Sequence, residues 1–182
     1  METSREYLDY LASTLLKIDS VQVDVATDWL RRCRNTGNTV FTCGNGGSAA
    51  VASHMICDLI KCASYGRPAR FKAMCLSDNT ATVLAYANDL TYDDVFLQQL
   101  SNFGKKDDVL IAISGSGNSR NILNAVRHAH FLGCKTIGLT GGGALADLVH
   151  LPILVPDKHM GRLEDAFSAI CHAICYRFIE ES

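Results

Sequence analysis

Three serines fall within six residues, Ser114, Ser116 and Ser119, separated by Gly115, Gly117 and Asn118. An apolar run, Val109 to Ile113, precedes them, and Ile122, Leu123, Val126 and His130 follow at helical spacing. The pattern reads as strand, tight loop, helix. Such a loop sets hydroxyls and backbone N–H groups at a helix N-terminus, where the donors have no intrahelical partner and the local field favours an anion. An earlier stretch, Val40-Phe-Thr-Cys-Gly-Asn-Gly-Gly-Ser48, has the same form. Two such loops point to a phosphorylated ligand held between them. Neither carries the Gly-Lys-Ser/Thr of a nucleotide P-loop, and Arg120 stands at the third glycine position of the dinucleotide fingerprint. The hydroxyl-rich composition suits a small phosphate monoester.

Two carboxylate–histidine pairs accompany the loops. His54-x3-Asp58 follows the first loop, and i, i+4 spacing puts both on one helix face. The pair interrupts an apolar series, Val51, Met55, Ile56 and Leu59. Near the C-terminus, in Arg162-Leu-Glu164-x7-His172, Glu164 and His172 stand just over two turns apart, roughly along one face. His172 lies in sequence among Ile170, Cys171, Ala173 and Ile174, where a polar group needs a partner. Two imidazoles and two carboxylates could form a metal site compatible with zinc, or a general acid–base pair.

The elements that would position these residues alternate. Residues 4–18 and 21–34 carry apolar residues at helical period, and precede a β-rich run from Thr39 to Cys43. A helix is expected from Ser48 to Cys62, broken by Tyr65-Gly-Arg-Pro68, then a strand from Phe71 to Leu76. A short helical piece over 79–88, a polar break at Asn88-Asp89 and a helix from Asp93 to Phe103 lead to the strand Val109 to Ile113. After the helix ending near Leu132, Lys135 to Thr140 and Leu151 to Val155 read as strands. A short helix over Ala144 to Leu148 lies between them, and a last amphipathic helix spans Arg162 to Glu180. Alternation of this kind predicts a doubly wound three-layer α/β sandwich with a five-stranded, mainly parallel sheet, preceded by two N-terminal helices. Ligands bind such sheets at the carboxyl ends of the strands, where both glycine–serine loops fall.

Composition narrows the field. The chain has 182 residues, 48% hydrophobic and 20% charged, enough for the core of one domain and unlike a disordered chain. Its net charge of −2, without a basic block, gives no electrostatic reason to expect nucleic acid. No apolar run reaches the roughly 18 residues of a membrane span. The eight cysteines form no C-x2-C pair, and Cys171 and Cys175, at i and i+4 of an apolar helix, read as core packing. Reduced thiols and a polar start without a signal-peptide core lead us to expect a cytoplasmic protein.

At these residues the chain resembles the sugar isomerase (SIS) domain family, and within it the phosphoheptose isomerase branch. The matching stretches are Cys43-Gly-Asn-Gly-Gly-Ser48, Leu76-Ser-Asp78, Ala87-Asn-Asp89, Ile113-Ser-Gly-Ser-Gly-Asn-Ser119, Leu139-Thr-Gly-Gly, and Val155-Pro with Arg162-Leu-Glu-Asp165. The resemblance implies a single SIS domain over residues 1–182. It implies a homotetramer with helices 1–36 in its interface and active sites at subunit boundaries. The implied activity is isomerisation of sedoheptulose 7-phosphate to a heptose 7-phosphate through an enediol, for surface-polysaccharide or other heptose biosynthesis. It implies phosphate binding by Ser114, Gly115, Ser116 and Ser119, with Gly115 in place of the usual threonine, and sugar contacts from Asn45, Ser48 and Asp89. Zinc ligands would be His54, Asp58, Glu164 and His172, Glu164 also lining the substrate site, with Asp58 and His172 as the acid–base pair. Besides Gly115, three positions depart from the pattern: Asp58 replaces a glutamate, Glu164 replaces a glutamine, and Gly161 stands where the family has an active-site aspartate. A base one methylene shorter must approach the substrate carbon more closely, since proton abstraction needs contact near ~3 Å. The same family includes non-catalytic members, such as proteins that bind a replication initiator, and a phosphosugar sensor would keep the serine loop without the metal set.

Overall fold

Alternate residues of the strands face opposite sides, and both sides are apolar. In a computed structural model that describes residues 3–181, five strands form one sheet: β1 (Thr39–Cys43), β2 (Lys72–Cys75), β3 (Val109–Ser114), β4 (Lys135–Thr140) and β5 (Leu151–Leu154). Every neighbouring pair is parallel, in the order β2-β1-β3-β4-β5. Val40, Val109, Ile111 and Ile137 enter one core, and Phe41, Leu110 and Ala112 the other. Near-continuous apolar strands are what a parallel sheet covered on both faces requires.

Helices α1 (Ser4–Leu15) and α2 (Ser20–Asn35) come first, as expected, the former ending before residue 18. Helix α3 (Gly47–Cys57) follows β1, then α4 (Thr80–Asp89), α5 (Val95–Phe103), α6 (Arg120–Phe131), α7 (Ala144–Leu148) and α8 (Met160–Ile179). One core is closed by α2, α3 and α8 through Leu30, Met55 and Phe167; the other by α5 and α6 through Phe96, Leu100, Ile122 and Val126. Helix α1 sits on α8, where Tyr7 Oη donates to Asp165 Oδ2 at 2.6 Å. Thr14 Oγ1 donates to Asp157 Oδ2 at 2.8 Å, and Asp157 also pairs with Arg162 Nε at 2.7 Å and Nη2 at 3.1 Å.

Three expectations are corrected. The helix after the first loop is not α-helical to Cys62: Asp58–Cys62 form a π-helical turn in which Ala63 N donates to Asp58 O at 2.8 Å. Asn88-Asp89 is the last turn of α4 rather than a break. Residues Tyr92–Asp94 are a 3-10 turn leading into α5. The cysteines are all free, and Cys171 and Cys175 are buried in the core as the spacing predicted. No helix among the described residues is long and apolar enough to cross a membrane.

The chain passes from β1 to β2 on one side, then returns to place β3 on β1's other side. The crevice at the carboxyl ends of β1 and β3 is therefore the topological switch point, and both glycine–serine loops open into it.

Candidate active site

The two loops deliver two helix N-termini to one cavity. Gly46, in the left-handed region at φ 54°, leads into α3, and Ser119 leads into α6; neither helix carries a side-chain cap. Helices α1, α2 and α4, by contrast, are capped by Thr3, Asp19 and Asn79. Uncapped N-termini leave donors for an incoming anion. The cavity measures about 290 Å³, and Asn45, Ser48, Ser114, Gly115, Ser116 and Ser119 all line it, as expected from their loops. Asp89, the remaining expected sugar contact, is exposed at the end of α4 and is not among the lining residues; Asn88 Nδ2 donates to its Oδ1 at 2.9 Å.

The serine loop is held from several sides. Gly117 N donates to Ser114 Oγ at 3.2 Å, and Ser114 Oγ lies 3.4 Å from Ser119 Oγ. Asn118 Oδ1 accepts from Ala144 N at 3.1 Å, tying the loop to α7. Gly117 has φ 65°, and a Cβ there would lie 1.8 Å from Gly142 O, so two backbones pass in contact. Gly115 faces Met160: a Cβ would meet its Sδ at 2.6 Å. At Gly161 a Cβ would lie 3.0 Å from Tyr7 Oη and 3.3 Å from His159 Cε1. Met160, Tyr7 and His159 thus fill the space at two positions where the chain departs from the family pattern.

Beyond the cavity, α3 and α8 pack side by side and bring His54, Asp58 and His172 together. His54 Nε2 and His172 Nε2 stand 3.0 Å apart, and Asp58 Oδ2 lies 3.4 Å from the first and 3.7 Å from the second. Asp58 is 9% exposed, and its Oδ2 is buried without a hydrogen-bond partner. A buried carboxylate oxygen in that state costs free energy unless something else meets it. Ligand atoms around one tetrahedral ion with zinc's bond lengths stand roughly 3.3 Å apart, so the three residues fit a divalent cation. Cys171, beside them, is no competitor, because burial and the Asp58 charge push its thiol up to about 12 and keep it protonated. The π turn at Asp58 belongs to a class of irregularity that recurs at functional sites.

His172 is not enclosed by the apolar residues that flank it in sequence; Ile170, Cys171 and Ile174 turn into the core while Ala173 is exposed and the His172 side chain remains 47% exposed. Glu164 is not gathered into the cluster either. It lines the serine cavity, with both carboxylate oxygens 2.3 Å from where a Cβ of Gly47 would be.

Asn121 and Tyr92 escaped the sequence reading. Asn121 is 2% exposed and exchanges two hydrogen bonds with Asn45, of 3.0 and 2.9 Å, while Tyr92 Oη donates to Asn45 Oδ1 at 2.8 Å. An amide beside Ile122 and Leu123 at the start of an apolar helix was the available signal for Asn121. Tyr92 had none.

A family model described as the SIS domain matches residues 6–141. The phosphoheptose isomerase of Aliarcobacter butzleri is 36% identical over 179 residues, covering 96% of this chain and 88% of that protein. That of Coxiella burnetii is 37% identical over 155 residues, covering 82% and 77%. Among solved structures, a phosphoheptose isomerase from Francisella tularensis superposes with a TM-score of 0.91 at 29% identity, covering 97% of this chain and 96% of that one. One from Neisseria gonorrhoeae gives 0.84 at 30% identity, covering 93% and 91%. The chain belongs to the SIS domain family, in its phosphoheptose isomerase branch.

Proposed function

We propose that this protein interconverts sedoheptulose 7-phosphate and an aldose heptose 7-phosphate through a cis-enediol. The observation that carries the reading is Asp58, a buried carboxylate whose Oδ2 has no hydrogen-bond partner and lies between two imidazoles, in a cluster borne by the same two helices, α3 and α8, that help line the hydroxyl-rich anion cavity. Ser114, Ser116 and Ser119, with the α3 and α6 N-termini, bind the phosphate and so hold the far end of the sugar in register. Asn45, held by Asn121, and Ser48 orient the sugar. Asp58 takes the proton from C2 of the open aldose, or from C1 of the ketose, and returns it to the neighbouring carbon. His172 serves the sugar oxygens, moving their proton as the carbonyl shifts.

His54, Asp58 and His172 would hold a divalent cation, with zinc the best match to the donor set. When bound, it supplies Lewis-acid polarisation of the sugar carbonyl and offsets developing oxyanion charge. The working protein is a cytoplasmic homotetramer of single-domain chains, with α1 and α2 in the interface and each site closed by a neighbour. Support comes from the exposure of the His54 and His172 side chains in the single chain, 58% and 47%, where an enediol needs shelter from water. Its product would enter surface-polysaccharide or other heptose biosynthesis.

The test is sedoheptulose 7-phosphate in deuterium oxide, with and without zinc, using the natural chain, Asp58→Asn and His172→Ala. Deuterium in the aldose product, lost at least a hundredfold in both variants, is the expected result. Absence of exchange in every metal state would overturn the assignment.

A further inference from the structure

The anion cavity and the histidine–aspartate cluster share two helices, α3 and α8. Glu164 stands eight residues before His172, about 12 Å along the axis. Among the described residues, the cavity lining contains no lysine, arginine or histidine, and its one charged member is Glu164. That carboxylate is half-buried, and no hydrogen bond or ion pair reaches it from the described residues; the bond recorded at Glu164 is accepted by its backbone oxygen, from Ser168 Oγ. Both carboxylate oxygens press on Gly47, in the first turn of α3. This is the positive pole that a phosphate would use. Glu164 therefore stands where an anion binds, and a phosphate arriving beside it meets a like charge in a partly desolvated space.

We propose that Glu164 makes phosphate binding dependent on the divalent cation. Cation charge at the His54–Asp58–His172 cluster offsets the Glu164 carboxylate, so cation and phosphate each tighten the other's binding. A glutamine at this position would keep the shape and remove the charge, and with it the coupling. The inference rests on the metal reading above and adds a thermodynamic link between the two half-sites, carried by one side chain. Linkage requires the effect to be equal in both directions.

Calorimetric titration of the full chain tests this, with inorganic phosphate and zinc as probes. Phosphate is titrated into chelator-stripped protein and into protein carrying one equivalent of zinc. We expect zinc to tighten phosphate binding at least tenfold, and saturating phosphate to tighten zinc binding by the same factor. In stripped Glu164→Gln, phosphate should bind at least tenfold more tightly than to the stripped natural chain, with zinc changing it less than threefold. Failure of the natural chain to take up zinc overturns the metal reading and the coupling together. Zinc uptake with unchanged phosphate affinity overturns the coupling alone. Full coupling surviving in Glu164→Gln overturns Glu164 as its carrier. The two titrations of the natural chain decide the first two outcomes whatever the variant's folding.

Discussion

Gly117 shows how narrowly a single residue is constrained here. Its φ of 65° lies where side chains strain the backbone, and an added Cβ would run into Gly142 O. Gly117→Ala should cost about 2 kcal/mol or more of stability, read as a fall in the urea midpoint, and weaken phosphate binding measured by calorimetry. Asp58 is constrained by chemistry instead. Its unpartnered oxygen is a local cost that a well-packed apolar residue would avoid, and sites that violate polar satisfaction are where function is expected. The serines and the His54–Asp58 pair were legible in the sequence because each is set by short spacing within one loop or one helix. The neighbour relation between Asn45 and Asn121, 76 residues apart, was not, since only the β1–β3 crevice brings them together.

At the scale of elements, the turn between β5 and α8 anchors α1. Asp157 accepts from Arg162, Thr14 Oγ1, and the backbone N–H groups of Lys158 and His159, at 2.7–3.1 Å. The Arg162 guanidinium, with those further donors, holds its carboxyl well below the usual carboxylate range. With the folded value depressed, the contribution is fully present above the unfolded-state pKa, near 3.9, and is lost as pH falls through the folded value. Asp157→Ala leaves Arg162 without this carboxylate in a mostly buried setting and should cost about 3 kcal/mol at pH 7. The difference between variant and natural chain should shrink steadily in unfolding titrations from pH 5 to pH 2. Helical periodicity located α8 itself, but not this anchor, because Thr14 stands 143 residues from Asp157 and only the packing of α1 on α8 brings them together.

The whole molecule leaves apolar surface uncovered. On α1 and α2, Leu8 and Val21 are 58% and 63% exposed, and Leu16 between the helices is 88% exposed. A groove of about 490 Å³ between these helices and α8 is lined by Leu15, Ile18, Val23 and Ile170. Exposed apolar surface of this kind is what the proposed subunit interface would cover. The proposed tetramer predicts a sedimentation mass about four times the 19.8 kDa chain. Leu16→Glu should reduce it to a smaller species whose circular dichroism is unchanged, with isomerase activity falling at least tenfold as the sites lose their cover.

By itself the sequence determined the layer order, the two glycine–serine loops and the pairing of His54 with Asp58. All of these follow from periodicity and short spacing, which act through local backbone geometry. Tertiary structure alone decided how those pieces meet. The return of β3 to the far side of β1 makes one cavity of two loops, and α3 packing on α8 joins His54 and Asp58 to His172. It also separated Glu164 from that cluster and set it against Gly47. Two turns of helix along one face span about 12 Å, so residues that share a face need not share a site.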